Sequence, residues 1–165
     1  MSETSENSVQ TLADRAAIAD VVHRFAFAAD TRDLTLFRSC FTERVQVDYS
    51  SFDPTRHREM PVDEFVAYAK GLEGFDATQH AITNYVCTFM ASDRARCVSY
   101  LQAAHFLRRD DSMHVCFVYG YYTHLLTRTE EGWKIDSIKL TASATHGDSR
   151  VFEWVGLRDA AAGQS

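Results

Sequence analysis

Two hydrophobic rhythms divide this chain. Up to about Gly74 the apolar residues recur at three- and four-residue spacing, and after it they alternate. Leu12, Ala16, Ile18, Ala19, Val22, Phe25, Ala26 and Ala29 share one helical face, which predicts a long amphipathic helix from Thr11 to Ala29. Thr11 stands at its start as an N-cap, with Asp14 three residues on in a capping-box variant. In DLTLFRSCF, Asp33 is a cap and Leu34, Phe37 and Phe41 form the buried stripe of a second, shorter helix. RVQVDYS alternates as a strand over residues 44–49. SFDPTRHRE reads as a loop, with the charges of Arg56 to Glu59 solvated. Pro61 opens a third helix, VDEFVAYAKGL, that stops near Gly71 or Gly74.

The second half predicts four long strands: Thr78 to Met90, Arg94 to Arg109, Ser112 to Arg128 and Trp133 to Ser143. ASDR, RRDDS and TEEG supply the hairpin turns. Helices followed by strands indicate the α+β class. The expected architecture is a strongly curved, mostly antiparallel sheet packed on three N-terminal helices. The tail carries Phe152, Trp154, Val155 and Leu157, an apolar set that packs on the sheet or on a neighbouring subunit. Residues 1–10 read as a disordered leader, and residues 11–160 as one domain.

Composition narrows the function classes. The 165 residues are 45% hydrophobic and 24% charged, as in a soluble globular chain. A net charge of −6 argues against a nucleic-acid footprint, which needs a basic face. No apolar run approaches bilayer length, and the polar N-terminus lacks the basic and apolar regions of a signal peptide, so a cytoplasmic location is expected. Cys40, Cys87, Cys97 and Cys116 form no C-x-x-C pair and read as reduced, buried thiols.

Candidate chemistry centres on histidines. His80 shares strand parity with Ile82, Asn84, Val86, Thr88 and Met90; His105 shares it with Cys97, Ser99, Leu101, Ala103 and Leu107. Pairing these strands brings two imidazoles into one apolar cavity, where they need partners. The plainer reading of a strand histidine is a satisfied core or surface group. Asp30 follows FAFAA at the negative end of the first helix, an unfavourable place for a carboxylate; taken alone, its plainer reading is a solvated turn residue. Asn84 is a candidate substrate hydrogen bonder. Among the aromatics Phe117, Tyr119, Tyr121 and Tyr122, Tyr119 is the one assigned to the cavity, against a plain packing role for the cluster. A metal site from His80, His105 and His114 lacks an acidic ligand at diagnostic spacing, so neither metal nor cofactor is expected. His23, His57 and His146 read as surface or loop residues.

RFAFAADTRDLTLFRSCFTERVQVDY and QHAITNYVCTF, together with the helix and strand order from Leu12 to Ala144, resemble SnoaL-like proteins of the nuclear transport factor two-like superfamily. The resemblance implies a cone that holds a small apolar ligand. Within that group the chain is most similar to the scytalone dehydratase type, which implies His80 as general base, Asp30 as its orienting partner, Tyr49 as carbonyl polariser and His105 as auxiliary acid. That type carries a tyrosine on the first helix where this chain has Phe25 and Phe27, so a different substrate is expected, with both phenylalanines against it. Its late serine and asparagine have no clear equivalent here. The implied function is a cofactor-independent lyase of the dehydratase kind, acting on a small apolar oxygenated ring compound such as a polyketide or steroid-like metabolite. An isomerase or cyclase with the same Asp–His pair is the first alternative, and a non-catalytic ligand-binding or assembly module the second. Expected partners are that small organic substrate and further copies of the chain as a trimer or dimer, with no nucleic acid and no membrane.

Overall fold

A computed structural model describes residues 3–157, with side chains from residue 9 onward. Its first helix, α1, spans Glu3–Thr31. Thr11 therefore lies inside the helix and does not cap it. No glycine or proline interrupts residues 3–10, so α1 runs into the stretch read as a leader. Met1, Ser2 and residues 158–160 at the end of the expected domain lie outside the described residues. Asp14 has a role other than capping: it accepts hydrogen bonds from Trp133 Nε1 (3.1 Å) and from the Arg128 guanidinium, which pin α1 to the sheet. Ile18, Val21, Val22, Phe25 and Ala28 form the buried stripe, whereas Leu12 is 67% exposed.

Asp33 caps α2 (Leu34–Ser39) by accepting from the Leu36 N–H at 2.9 Å. Phe41 opens β1 (Phe41–Asp48) and does not end α2. Part of the expected loop is a strand, β2 (His57–Pro61), because β1 offers it a free edge with Val45 opposite Met60. Arg56 is not simply solvated: it pairs with Asp53, lies over the Tyr68 ring and donates to the Leu157 carbonyl at 2.7 Å. Helix α3 (Val62–Ala69) follows Pro61 and passes into a 3₁₀ turn, Lys70–Gly74.

The remaining strands are β3 (Ala77–Ala91), β4 (Arg94–Arg109), β5 (Ser112–Thr129) and β6 (Gly132–Gly147). One curved six-stranded sheet results, ordered β2-β1-β6-β5-β4-β3; the β1–β6 pair is parallel and every other pair antiparallel. The α+β expectation holds. At the β4–β5 hairpin Asp110 and Asp111 take φ of 49° and 59°, the left-handed pair that a two-residue turn of this hand requires. Register shifts along β5–β6 bend the sheet. Gly120 sits at one of them, where an added Cβ would lie 2.0 Å from the Thr141 carbonyl oxygen. A short helix, α4 (Val151–Trp154), follows β6. Its Phe152 packs against His105, Phe52 and Phe75 at centroid distances of 4.7, 4.8 and 5.8 Å. Among the described residues no helix is long and apolar enough to cross a membrane.

Simple alternation fails in β3. Asn84, with φ of 55°, sits where the β3–β4 register shifts between Thr83 and Val86. Before the bulge His80 and Ile82 face inward; beyond it Tyr85, Cys87 and Phe89 pack on the core. Val86, expected on the same face as His80, is 63% exposed. An asparagine tolerates the left-handed region that a β-branched residue does not. Asn84→Val is therefore expected to destabilise the fold by about 1–2 kcal/mol, with Asn84→Gly close to neutral. Urea midpoints of the two variants check this, and equal midpoints would refute it.

Candidate active site

The end of α1 meets the start of β3 around one carboxylate. His80 Nδ1 lies 2.6 Å from Asp30 Oδ1, and the His80 backbone N–H donates to Asp30 Oδ2 at 2.7 Å. The Thr78 hydroxyl donates to Oδ1 at 2.9 Å and accepts from Arg32 Nη1 at 2.7 Å. Both Asp30 oxygens are thus engaged, which fixes the plane of the carboxylate and, through it, the imidazole.

Arg32 explains why an acid is tolerated at this helix end. With φ of 61° it turns back over the last turn of α1 and donates to the Ala29 and Asp30 carbonyls at 2.6 and 3.1 Å. Its cation satisfies orphan carbonyls and offsets the negative end of the dipole. Burial raises the Asp30 pKa, but the hydrogen bond and charge of His80, then the His80 N–H and Thr78, more than reverse this, leaving it below the usual carboxylate value.

His80 is almost buried, and its ring lines a cavity in the cone. Because Nδ1 is committed to Asp30, Nε2 is the nitrogen left for a ligand. The free volume is about 90 Å³, walled by apolar side chains including Phe25, Leu101 and Val118, with Phe152 and Leu157 from the C-terminal segment. An engineered cavity that admits benzene is larger, about 150 Å³. A ring-sized ligand must therefore displace part of this wall.

Four further side chains with polar groups line the cavity: Tyr49, Tyr68, Tyr122 and His105. The phenols of Tyr49 and Tyr122 are close enough to influence each other's ionisation. Burial raises both phenol pKa values, so each keeps its proton. His105 is buried, 5.7 Å from His80 between ring centroids. Burial, with the His80 charge adding to it, pushes its pKa down to about 3, against an opposing backbone hydrogen bond with Cys116.

The structure thus brings Asp30, His80, Tyr49, His105 and Phe25 together. Phe27 is not with them: it is 62% exposed on the outer side of α1, two residues round the helix from Phe25. The bulge turns Asn84 outward and exposes it. Tyr119 faces a groove on the outside of the sheet, stacked on Phe117. Tyr122 is the cavity tyrosine that a choice of Tyr119 misses. The signal was parity, since Tyr122 falls in step with Cys116 and Val118, both buried. His114 belongs elsewhere, bound through Nδ1 to Asp148 at 2.9 Å. Among the described residues no group of three or more His, Cys, Asp or Glu side chains is arranged to hold a metal ion.

His124 lies behind the cavity among Phe25 and Tyr122, fully buried, and neither ring nitrogen has a hydrogen-bond partner among the described residues. Burial alone pushes its pKa down to about 3. His124 and His105 stay neutral in the fold, but when unfolded they titrate near about 6.5. The unfolded chain therefore binds more protons between about 6.5 and about 3, and stability falls as pH is lowered through that window, by about 1.4 kcal/mol per unit for each histidine. His124→Leu is expected to stabilise the protein at pH 7 by about 1–3 kcal/mol and to flatten this acid slope. Denaturant titrations across the window test both; an unchanged slope would refute the assignment.

A family model described as a SnoaL-like domain matches residues 10–139. The chain belongs to the SnoaL-like family. This SnoaL-like chain is 33% identical to a Kribbella flavida protein whose crystal structure superposes with a TM-score of 0.78, covering 82% of this chain and 95% of that one. A Novosphingobium aromaticivorans protein provisionally assigned as a scytalone dehydratase shares 19% identity, with a TM-score of 0.75 and coverage of 86% and 91%. A type-2 hexachlorocyclohexane dehydrochlorinase shares 16%, with a TM-score of 0.73 and coverage of 86% and 93%. These last two likenesses establish the fold alone. No curated protein matches the chain by sequence.

Proposed function

We propose that this SnoaL-like protein is a cofactor-independent lyase that eliminates water, or a comparable leaving group, beside a carbonyl of a small apolar ring compound such as a polyketide or steroid-like metabolite. The observation that carries the reading is the Asp30–His80 contact of 2.6 Å opening onto an apolar cavity. Names of dehydratase and dehydrochlorinase among proteins of like fold agree with it.

In this reading the substrate carbonyl accepts from the hydroxyl pair Tyr49–Tyr122. Both phenols keep their protons, and an O–H turned towards the carbonyl polarises it as the enolate develops. His80 Nε2 removes the proton on the adjacent carbon, and Asp30 stabilises the imidazolium that forms. The enolate then expels the leaving oxygen: the carbon–oxygen bond breaks, the double bond forms, and His80 returns its proton to the departing group as water. His105, neutral at ordinary pH, hydrogen-bonds the leaving oxygen without donating a full proton.

The test is a panel of hydroxylated cyclic ketones followed by mass spectrometry. Loss of water or halide supports the lyase, and a product of unchanged mass points to isomerisation through the same enolate. A reaction that survives both His80→Ala and Asp30→Asn overturns the mechanism. Exposed Val86 and Tyr100 on the outer face of β3 and β4 support assembly of identical chains, which light scattering after size exclusion reads.

A further inference from the structure

We propose that Cys87 and Cys97 are a hydroperoxide-oxidisable pair that closes into a disulfide between β3 and β4. The two residues are directly opposed in register, and their Sγ atoms, both free thiols, lie 3.1 Å apart. Opposed residues place their Cβ atoms about 4.5–5.5 Å apart and a disulfide needs about 3.5–4.5 Å, so closure takes a small shift of two neighbouring strands. The bulge at Asn84 creates this meeting. Continuing the parity of His80 would have pointed Cys87 outward, away from Cys97; the extra residue turns it inward.

The two sulfurs differ in a way that assigns their roles. Cys97 is fully buried and Cys87 only partly so. Arg15 of α1 donates to the Cys87 carbonyl at 2.8 Å, placing a cation beside that thiol. The hydrogen bond with Cys97 pushes the Cys87 pKa down to about 7 against burial, and Arg15 adds to the shift. Cys40 offers a contrast: its thiol donates to the Leu36 carbonyl, and burial pushes it up to about 11.

The chemistry balances with a hydroperoxide as oxidant. The Cys87 thiolate attacks one peroxide oxygen, the O–O bond breaks, and the departing oxygen takes a proton, leaving Cys87 as the sulfenic acid. Cys97 sulfur then attacks Cys87 sulfur. The S–S bond forms, the S–O bond breaks, and the hydroxyl leaves as water with the Cys97 proton. Two thiols are oxidised and one peroxide is reduced.

The experiment treats the native protein with a small excess of hydrogen peroxide, quenches in acid with an alkylating agent, and maps the peptides. Two of the four thiols are expected to disappear, with a Cys87–Cys97 linked peptide pair that dithiothreitol restores. Cys97→Ser should stop at the Cys87 sulfenic acid, captured by dimedone, and Cys87→Ser should lose no thiol at the same dose. The wild-type map needs no variant to fold, and adding urea before the peroxide should abolish the preference for this pair. Cys87 and Cys97 both remaining alkylatable at a dose that oxidises a free cysteine standard would overturn the proposal. So would a linked pair formed equally well in urea.

Discussion

His80→Ala is expected to slow the proposed elimination by about 10²–10⁴-fold while leaving the fold intact. The imidazole lines the cavity and is held through Nδ1 by Asp30, which leaves Nε2 for a ligand. Asp30→Asn should cost a comparable factor. Its amide is the right size, but it cannot stabilise an imidazolium, and its NH₂ group opposes the N–H that Asp30 now accepts. Because the two act as one unit, the double variant should be little worse than either single one. Initial rates on whichever cyclic ketone turns over supply the numbers, with circular dichroism confirming the fold. The carboxylate also leaves a stability signature. Its folded pKa is depressed, so its contribution is present above the unfolded value of about 3.9 and is lost as pH falls through the folded one. Asp30→Asn should remove that acid-limb loss. Rates within a few-fold of wild type in both variants would sink the proposed mechanism.

Phe41→Ala should be the most damaging core substitution, destabilising the protein by about 3–5 kcal/mol. Phe41 is fully buried at the junction of α2 and β1. Its ring meets Phe25, Phe37 and Phe65 at centroid distances of 5.7, 5.1 and 5.2 Å. Those three rings also wall the cavity, so the void left behind adjoins the site. Urea denaturation reads the loss, and a shift below about 1 kcal/mol would mean that the cluster collapses to fill the space.

Much of the architecture was legible because period and element agree. Strand β4, expected at Arg94 to Arg109, has those bounds, and Asp33 caps α2 as its position suggested. The errors share a physical origin: local pattern is silent about an inserted residue and about pairing at a distance. Alternation cannot reveal the bulge at Asn84, so it placed Asn84 and Val86 beside His80 and hid the meeting of Cys87 with Cys97. Asp14 reads as the capping-box partner of Thr11 because its actual partners, Trp133 and Arg128, arrive only through the fold. The arginine that makes Asp30 tenable was in plain view in ADTRD, but only a left-handed turn at Arg32 lets it reach back. Tyr122, by contrast, was within reach of parity alone.

The residues that would perform chemistry and those that would judge which molecule receives it are carried by different stretches of polypeptide. The Asp30–His80 pair hangs from the junction of α1 with β3, whereas Phe152 and Leu157 come from the C-terminal segment, which packs on His105, Phe52 and Phe75 and is tied by Arg56 to the Leu157 carbonyl. Selection can therefore redraw that wall, residue by residue or by exchanging the tail, and so change which molecules the cavity admits while the Asp30–His80 contact stays in place.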